Sequence, residues 1–142
     1  MLNRIVNNVI ECEVLAEKIA KKIQVGYIIS LEGELGTGKT TFIKGILKGF
    51  NYDQDVTSPT FTLINEYEAD YKVIHIDFYR EPNIQRWLQI GIHEYMNSNN
   101  IILIEWGNLI PKLLPEETIH IYFKHIEKNK RRIICDYEPF SN

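Results

Sequence analysis

The run Gly33-Glu34-Leu35-Gly36-Thr37-Gly38-Lys39-Thr40 brings three glycines, a lysine and a hydroxyl together in the pattern G-x-x-x-x-G-K-[ST]. That spacing suits a polyphosphate. Glycine admits positive-φ backbone and keeps side chains out of the phosphate path. Successive backbone N–H groups can then converge on anionic oxygens. A helix that follows adds the unpaired N–H groups and partial positive charge of its N-terminus. In such a loop Lys39 reaches the β- and γ-phosphates and the Thr40 hydroxyl ligates Mg²⁺.

A phosphate loop also needs a carboxylate at the end of a neighbouring strand, to hold Mg²⁺ or to polarise the attacking water. Two positions qualify. Glu105 ends Ile101-Ile102-Leu103-Ile104, the most apolar run of the chain, and Asp77 ends Val73–Ile76. Both are placed in the site, with metal contact and water activation divided between them in an order the sequence leaves open. Trp106, beside Glu105, covers the nucleotide or anchors an interface, although taken alone such a residue is more often core. The polar loop 51–60 ends in Thr57-Ser58-Pro59-Thr60, three hydroxyls around a stiffening proline. It reads equally as a turn before a strand or as a loop that senses the γ-phosphate or Mg²⁺. Arg80 pairs with Asp77 or touches phosphate, the ion pair being favoured. His75, His93 and His120 have no partners at ligand spacing, so no histidine is given a metal role. Cys12 and Cys135 fall at apolar positions without metal-ligand spacing and are expected as buried free thiols.

The elements that must position these residues follow from periodicity. Tyr27–Glu32 is apolar and β-prone and leads into the loop. After it, apolar residues at 42, 43, 46, 47 and 50 have helical spacing. Upstream, residues 1–8 read as a frayed end. Val9 to Ile23 reads as an amphipathic helix capped by Asn7 or Asn8. Phe61–Tyr67 and Tyr71–Ile76 read as strands close enough to form a hairpin, which makes the sheet mixed. Residues 83–96 read as one amphipathic helix, with Trp87 on its core stripe. Ile101–Ile104 reads as a buried central strand. Thr118–Phe123 and Arg131–Tyr137 alternate as strands joined at Glu127-Lys128-Asn129-Lys130. The cluster Lys128, Lys130, Arg131 and Arg132 is read as a solvated hairpin turn.

A chain of 142 residues is expected to be one domain, 1–142, with a core of its own. Its 44% hydrophobic and 25% charged content is that of a soluble globular protein. A formal charge of −3 argues against a stand-alone nucleic-acid binder. The N-terminus lacks the long apolar stretch of a signal peptide, and a cytoplasmic location with no membrane contact is expected.

With these pieces placed, the sequence resembles the bacterial TsaE family, small P-loop ATPases needed to make N6-threonylcarbamoyladenosine at position 37 of tRNA. The resemblance lies in Leu31 through Thr41, then Ser58-Pro59-Thr60-Phe61-Thr62-Leu63 and His75-Ile76-Asp77-Phe78-Tyr79-Arg80. It continues in Gly91-Ile92-His93-Glu94-Tyr95, Ile104-Glu105-Trp106 and Leu114-Pro115. It implies an α/β P-loop NTPase fold with a central, largely parallel sheet flanked by helices and extended by antiparallel strands. It implies that Glu34, Leu35, Gly36, Thr37, Gly38, Lys39, Thr40 and Thr41 bind ATP and that Trp106 lies near the nucleotide. Thr40 and Glu105 match positions that engage Mg²⁺. Asp77 matches an acid important for hydrolysis, and Ser58 and Thr60 lie in the family's switch-like loop. The family acts with the TsaD and TsaB proteins, so tRNA is met through their complex. Gly107 follows Glu105-Trp106 where relatives often carry proline.

Three other functions would leave different marks on the sequence or in binding and turnover. A small-molecule kinase usually has an arginine-rich lid, whereas only Arg86, Arg131 and Arg132 follow residue 80. A GTP switch would carry Asn-Lys-x-Asp, but Asn129-Lys130-Arg131-Arg132 lacks the aspartate. A non-catalytic nucleotide-binding adaptor would bind without turnover.

Overall fold

A computed structural model describes residues 1–34, 36–56 and 63–141. The expected strand before the phosphate loop, β2 (Ile28–Glu32), lies in the middle of a seven-stranded sheet. Strands β6 (Ile119–Glu127) and β5 (Ile101–Glu105) flank it, both parallel to it, and β4 (Lys72–Asp77) runs parallel beyond β5. The two ends of the sheet are antiparallel. There β3 (Ile64–Glu68) pairs with β4, and β7 (Lys130–Cys135) joins β6 to β1 (Leu2–Val6). Every residue of β5 is buried, as a strand covered on both faces requires.

Strand alternation sorts side chains onto two faces. Ile29, Leu31, Val73, Ile101 and Leu103 pack with α1 (Val9–Ala20) and α2 (Lys39–Gly49). Ile28, Ile74, Ile76, Ile102 and Ile104 pack on the opposite face, against Trp87 of α3 (Ile84–Gln89) and Ile92 and Met96 of α4 (Ile92–Met96). Parity thus sends His75, Asp77 and Glu105 to the same face as α2.

Several expected boundaries move. Residues 2–6 are a strand rather than a frayed end, because β7 supplies a full antiparallel partner from Leu2↔Cys135 to Val6↔Arg131. Helix α1 stops at Ala20 instead of Ile23. The Asn8 side chain accepts from the Glu11 N–H at 2.9 Å, while Glu11 Oε1 accepts from the Asn7 N–H at 3.2 Å. The single helix expected over 83–96 is two short ones, broken at Gly91 with φ 82°. Trp87 is fully buried and its indole N–H donates to the Glu81 carbonyl at 2.8 Å. Cys12 and Cys135 are buried free thiols, as expected.

Helices α1 and α2 touch through small residues. A Cβ at Gly45 would lie 2.5 Å from Ala16 Cβ and 2.6 Å from the Glu13 carbonyl oxygen. Gly45→Val is therefore expected to cost about 1–3 kcal/mol of stability. A lower urea midpoint with unchanged slope would show it, and an unchanged midpoint would contradict the close approach.

Candidate functional site

The loop is built by the strand that enters it and the helix that leaves it. At Gly38 the backbone takes φ 98°, and this N-cap glycine brings no side-chain cap to α2. The helix start turns its amide ends and partial positive charge toward the loop, as an anion site requires. Within the loop the Glu34 carbonyl accepts from both the Thr37 N–H at 3.3 Å and the Thr37 hydroxyl at 2.7 Å. These bonds hold the turn.

Lys39 is buried at the start of α2. Its ammonium donates to the Gly33 carbonyl and sits 3.6 Å from the centroid of the Trp106 ring. A cation at this distance from an indole face is attracted by the ring quadrupole. Trp106 takes φ 60° and ψ 30°, a left-handed conformation uncommon for a bulky residue. Its ring also lies 5.0 Å from that of Tyr79.

The two acids stand side by side. Asp77 and Glu105 are register partners at the ends of parallel β4 and β5, and the Phe78 N–H donates to the Glu105 carbonyl at 3.1 Å. Both are buried. The Asp77 carboxylate accepts from the Tyr79 N–H at 2.9 Å. Glu105 Oε2 meets His75 Nε2 at 2.7 Å. Lys39, Thr40, Asp77, Arg80, Glu105 and Trp106 line one cavity of about 380 Å³, together with Gly36, Gly38, Thr41 and Tyr79. Thr40 and Glu105 thus offer hard oxygen donors to a common space, which suits a cation that also keeps phosphate and water ligands.

The family model described as threonylcarbamoyl adenosine biosynthesis protein TsaE matches residues 6–133. This chain belongs to the TsaE family. The Bacillus subtilis tRNA threonylcarbamoyladenosine biosynthesis protein TsaE is 36% identical over 124 residues, 87% of this chain and 77% of that protein. The protein of the same description from Treponema pallidum is 32% identical over 115 residues, covering 81% and 85%. The crystal structure of Bacillus subtilis YdiB superposes with a TM-score of 0.81 at 32% identity, covering 94% of this chain and 83% of that one. The mixed, centrally parallel sheet is therefore that of a solved protein with similar sequence.

Within this TsaE framework, the expected site residues Glu34, Gly36, Thr37, Gly38, Lys39, Thr40 and Thr41 lie on the loop and first helical turn. Asp77, Glu105 and Trp106 close on the same cavity. Leu35 and the switch-like Ser58 and Thr60 lie outside the described residues. Arg80 joins the cavity lining, but the favoured ion pair with Asp77 does not form; its charge acts on that carboxylate only from a longer distance. Two contributors escaped the sequence reading. His75 carried no role there, although its i, i+2 spacing from Asp77 placed it on the same face. Arg131, read as part of a solvated turn, instead reaches from β7 to donate to the Gly36 carbonyl at 2.8 Å. Only the antiparallel register of β6 and β7 reveals that reach.

Burial governs the charges. It pushes the Asp77 carboxyl above its ordinary range; the Tyr79 N–H opposes this and the Glu105 charge adds to it. It pushes the Lys39 ammonium downward, against the pull of Glu105 and Asp77. A carboxyl whose pKa rises on folding binds more protons in the folded state. The nucleotide-free protein therefore gains stability from this group as pH falls from the raised folded value toward the ordinary aspartate value. At neutral pH the ionised group detracts. Asp77→Asn keeps an oxygen for the Tyr79 N–H and is expected to raise the melting temperature at pH 7, with less gain in acid. A lower melting temperature at pH 7 would contradict this.

Proposed function

We propose that this protein is a Mg²⁺-dependent ATP hydrolase of tRNA threonylcarbamoyladenosine biosynthesis. In this reading residues 1–142 form one ATPase domain that works in the cytoplasm with the TsaD and TsaB proteins and meets tRNA through their complex. Family membership supports the pathway. The observation that carries the chemistry is the pairing of Asp77 with Glu105 at adjacent strand ends, in one cavity with Lys39 and Thr40.

Bound Mg²⁺ would supply positive charge to the phosphoryl group being transferred. Thr40 and Glu105 would hold it. Lys39 would leave the Gly33 carbonyl for the phosphates, since its contacts to that carbonyl and to Trp106 already place the ammonium at the loop mouth. Asp77, beside the metal acid, would orient the attacking water. Positioning and electrostatics are nearly all that phosphoryl transfer asks of a protein.

The base end of the nucleotide would take a neighbouring cavity. A second cavity of about 350 Å³ adjoins the first through Gly38 and Thr41, and Val6, Val9, Ile10, Cys12, Thr37 and Arg131 help to line it. Apolar walls with a few polar groups suit a purine and ribose. The N-terminal strand and α1 thus supply the base-side wall, and Arg131 steadies the loop between the two cavities.

Tryptophan emission tests the placement directly. The chain has two tryptophans, and Trp87 is fully buried on the far face of the sheet. In Trp87→Phe the remaining signal comes from Trp106. ATP with Mg²⁺ is expected to change that emission saturably, and GTP to do so more weakly. Emission unaltered by ATP at millimolar concentration would overturn the reading.

A further inference from the structure

Glu105 does not stand alone in the sheet. Its Oε2 is bonded at 2.7 Å to Nε2 of His75, a ring with no solvent exposure. His75 lies two residues before Asp77 on β4, opposite Leu103 in the register, so imidazole and both carboxylates share one face. The Tyr67 ring lies parallel to the imidazole within 28°, at 6.4 Å between centroids. The other ring nitrogen, Nδ1, is buried and has no hydrogen-bond partner among the described residues.

That asymmetry selects the tautomer. A proton on Nδ1 would be a buried donor with no acceptor, whereas a proton on Nε2 faces a carboxylate oxygen. We propose that His75 is a positioning residue for the ATPase site: a neutral, Nε2–H imidazole that donates to Glu105 Oε2 and fixes the carboxylate rotamer. Oε1 would then be the carboxylate oxygen left to hold Mg²⁺. The arrangement has the form of the imidazole–carboxylate contacts that orient metal ligands elsewhere, with the partners' order reversed. The inference rests on the proposed function only for what Oε1 does; the tautomer stands on the geometry alone.

Two arms separate these parts. In the nucleotide-free protein, ¹⁵N-resolved ring signals of His75 are expected to report the Nε2–H tautomer, with Nδ1 as the unprotonated nitrogen. An Nδ1–H tautomer or a doubly protonated ring overturns the inference, whatever the protein hydrolyses. The second arm compares His75→Phe, which keeps a ring beneath Tyr67 but removes the donor, with His75→Gln, whose Nε2–H can reach the same oxygen. Mn²⁺ binding in the presence of ADP, read by electron paramagnetic resonance, is expected to weaken about 10–100-fold in His75→Phe and to recover largely in His75→Gln. ADP binding in EDTA is expected to stay at the wild-type level in both, which shows that each variant is folded. Wild-type Mn²⁺ affinity in His75→Phe, or equal loss in both variants, overturns the positioning role. Failure of wild type itself to bind Mn²⁺ and ADP would instead remove the ATPase reading and leave the tautomer result standing.

Discussion

If the protein hydrolyses ATP as proposed, Lys39→Ala is expected to lower turnover in a mixture with the proposed TsaD and TsaB partners about 10²–10³-fold, the usual loss when one preorganised donor to a developing anion is removed. The wild-type side chain is already desolvated in the nucleotide-free state. It is buried, it donates to the Gly33 carbonyl, and it lies on the Trp106 ring. Moving from that carbonyl to a phosphate oxygen exchanges one charge-assisted bond for a stronger one without fresh dehydration. An alanine leaves the loop amides in place, so nucleotide binding should weaken less than turnover falls. The fold should survive, because β2 and α2 are held by strand pairing and core packing that do not pass through the ammonium. Single-turnover hydrolysis with a melting curve on the same sample checks both halves. Turnover within a few-fold of wild type would remove Lys39 from the transition state.

Glu105→Gln is expected to have the second large effect, again about 10²–10³-fold on turnover, with ATP affinity nearly kept when Mg²⁺ is absent. Glutamine is nearly isosteric and can still accept from His75 Nε2, so the strand end should keep its shape. The lost charge is what differs. It would raise the Mg²⁺ concentration needed for half-maximal rate, and excess Mg²⁺ should recover part of the loss. Asp77→Asn should behave differently: a lower rate at saturating Mg²⁺, without a shifted Mg²⁺ requirement. This contrast separates the two neighbouring carboxylates, whose roles the sequence left undivided. Identical Mg²⁺ profiles for the two variants would contradict the division proposed here.

The chemistry of this site was more legible in the sequence than its walls. The phosphate loop carries its own geometry, since Gly-rich spacing, a preceding apolar strand and a following helical stripe are all local. Asp77 and Glu105 were found because each ends an apolar run, and the sheet then set them in register. Sequence could not show that strand β1 exists. Leu2–Val6 becomes a strand only because β7, about 130 residues later, offers an edge. The contact of Arg131 with the Gly36 carbonyl is likewise non-local, set by the pairing of β7 with β6. His75 was legible in parity but not in partnership, because its partner lies on another strand. The helix expected over 83–96 kept its apolar spacing across Gly91, so periodicity ran through a break that backbone conformation imposes.

The central claim is that ATP hydrolysis at this loop serves tRNA modification. The most direct measurement is threonylcarbamoyladenosine formation in a purified mixture of TsaD, TsaB, unmodified tRNA, ATP, Mg²⁺ and threonylcarbamoyl donor. It would be followed over many turnovers with this protein, without it, and with Lys39→Ala in its place. Sustained formation that needs the wild-type protein and fails with Lys39→Ala is the predicted result. Equal yield in all three mixtures would contradict the account, and would leave a nucleotide-binding fold without a part in the reaction.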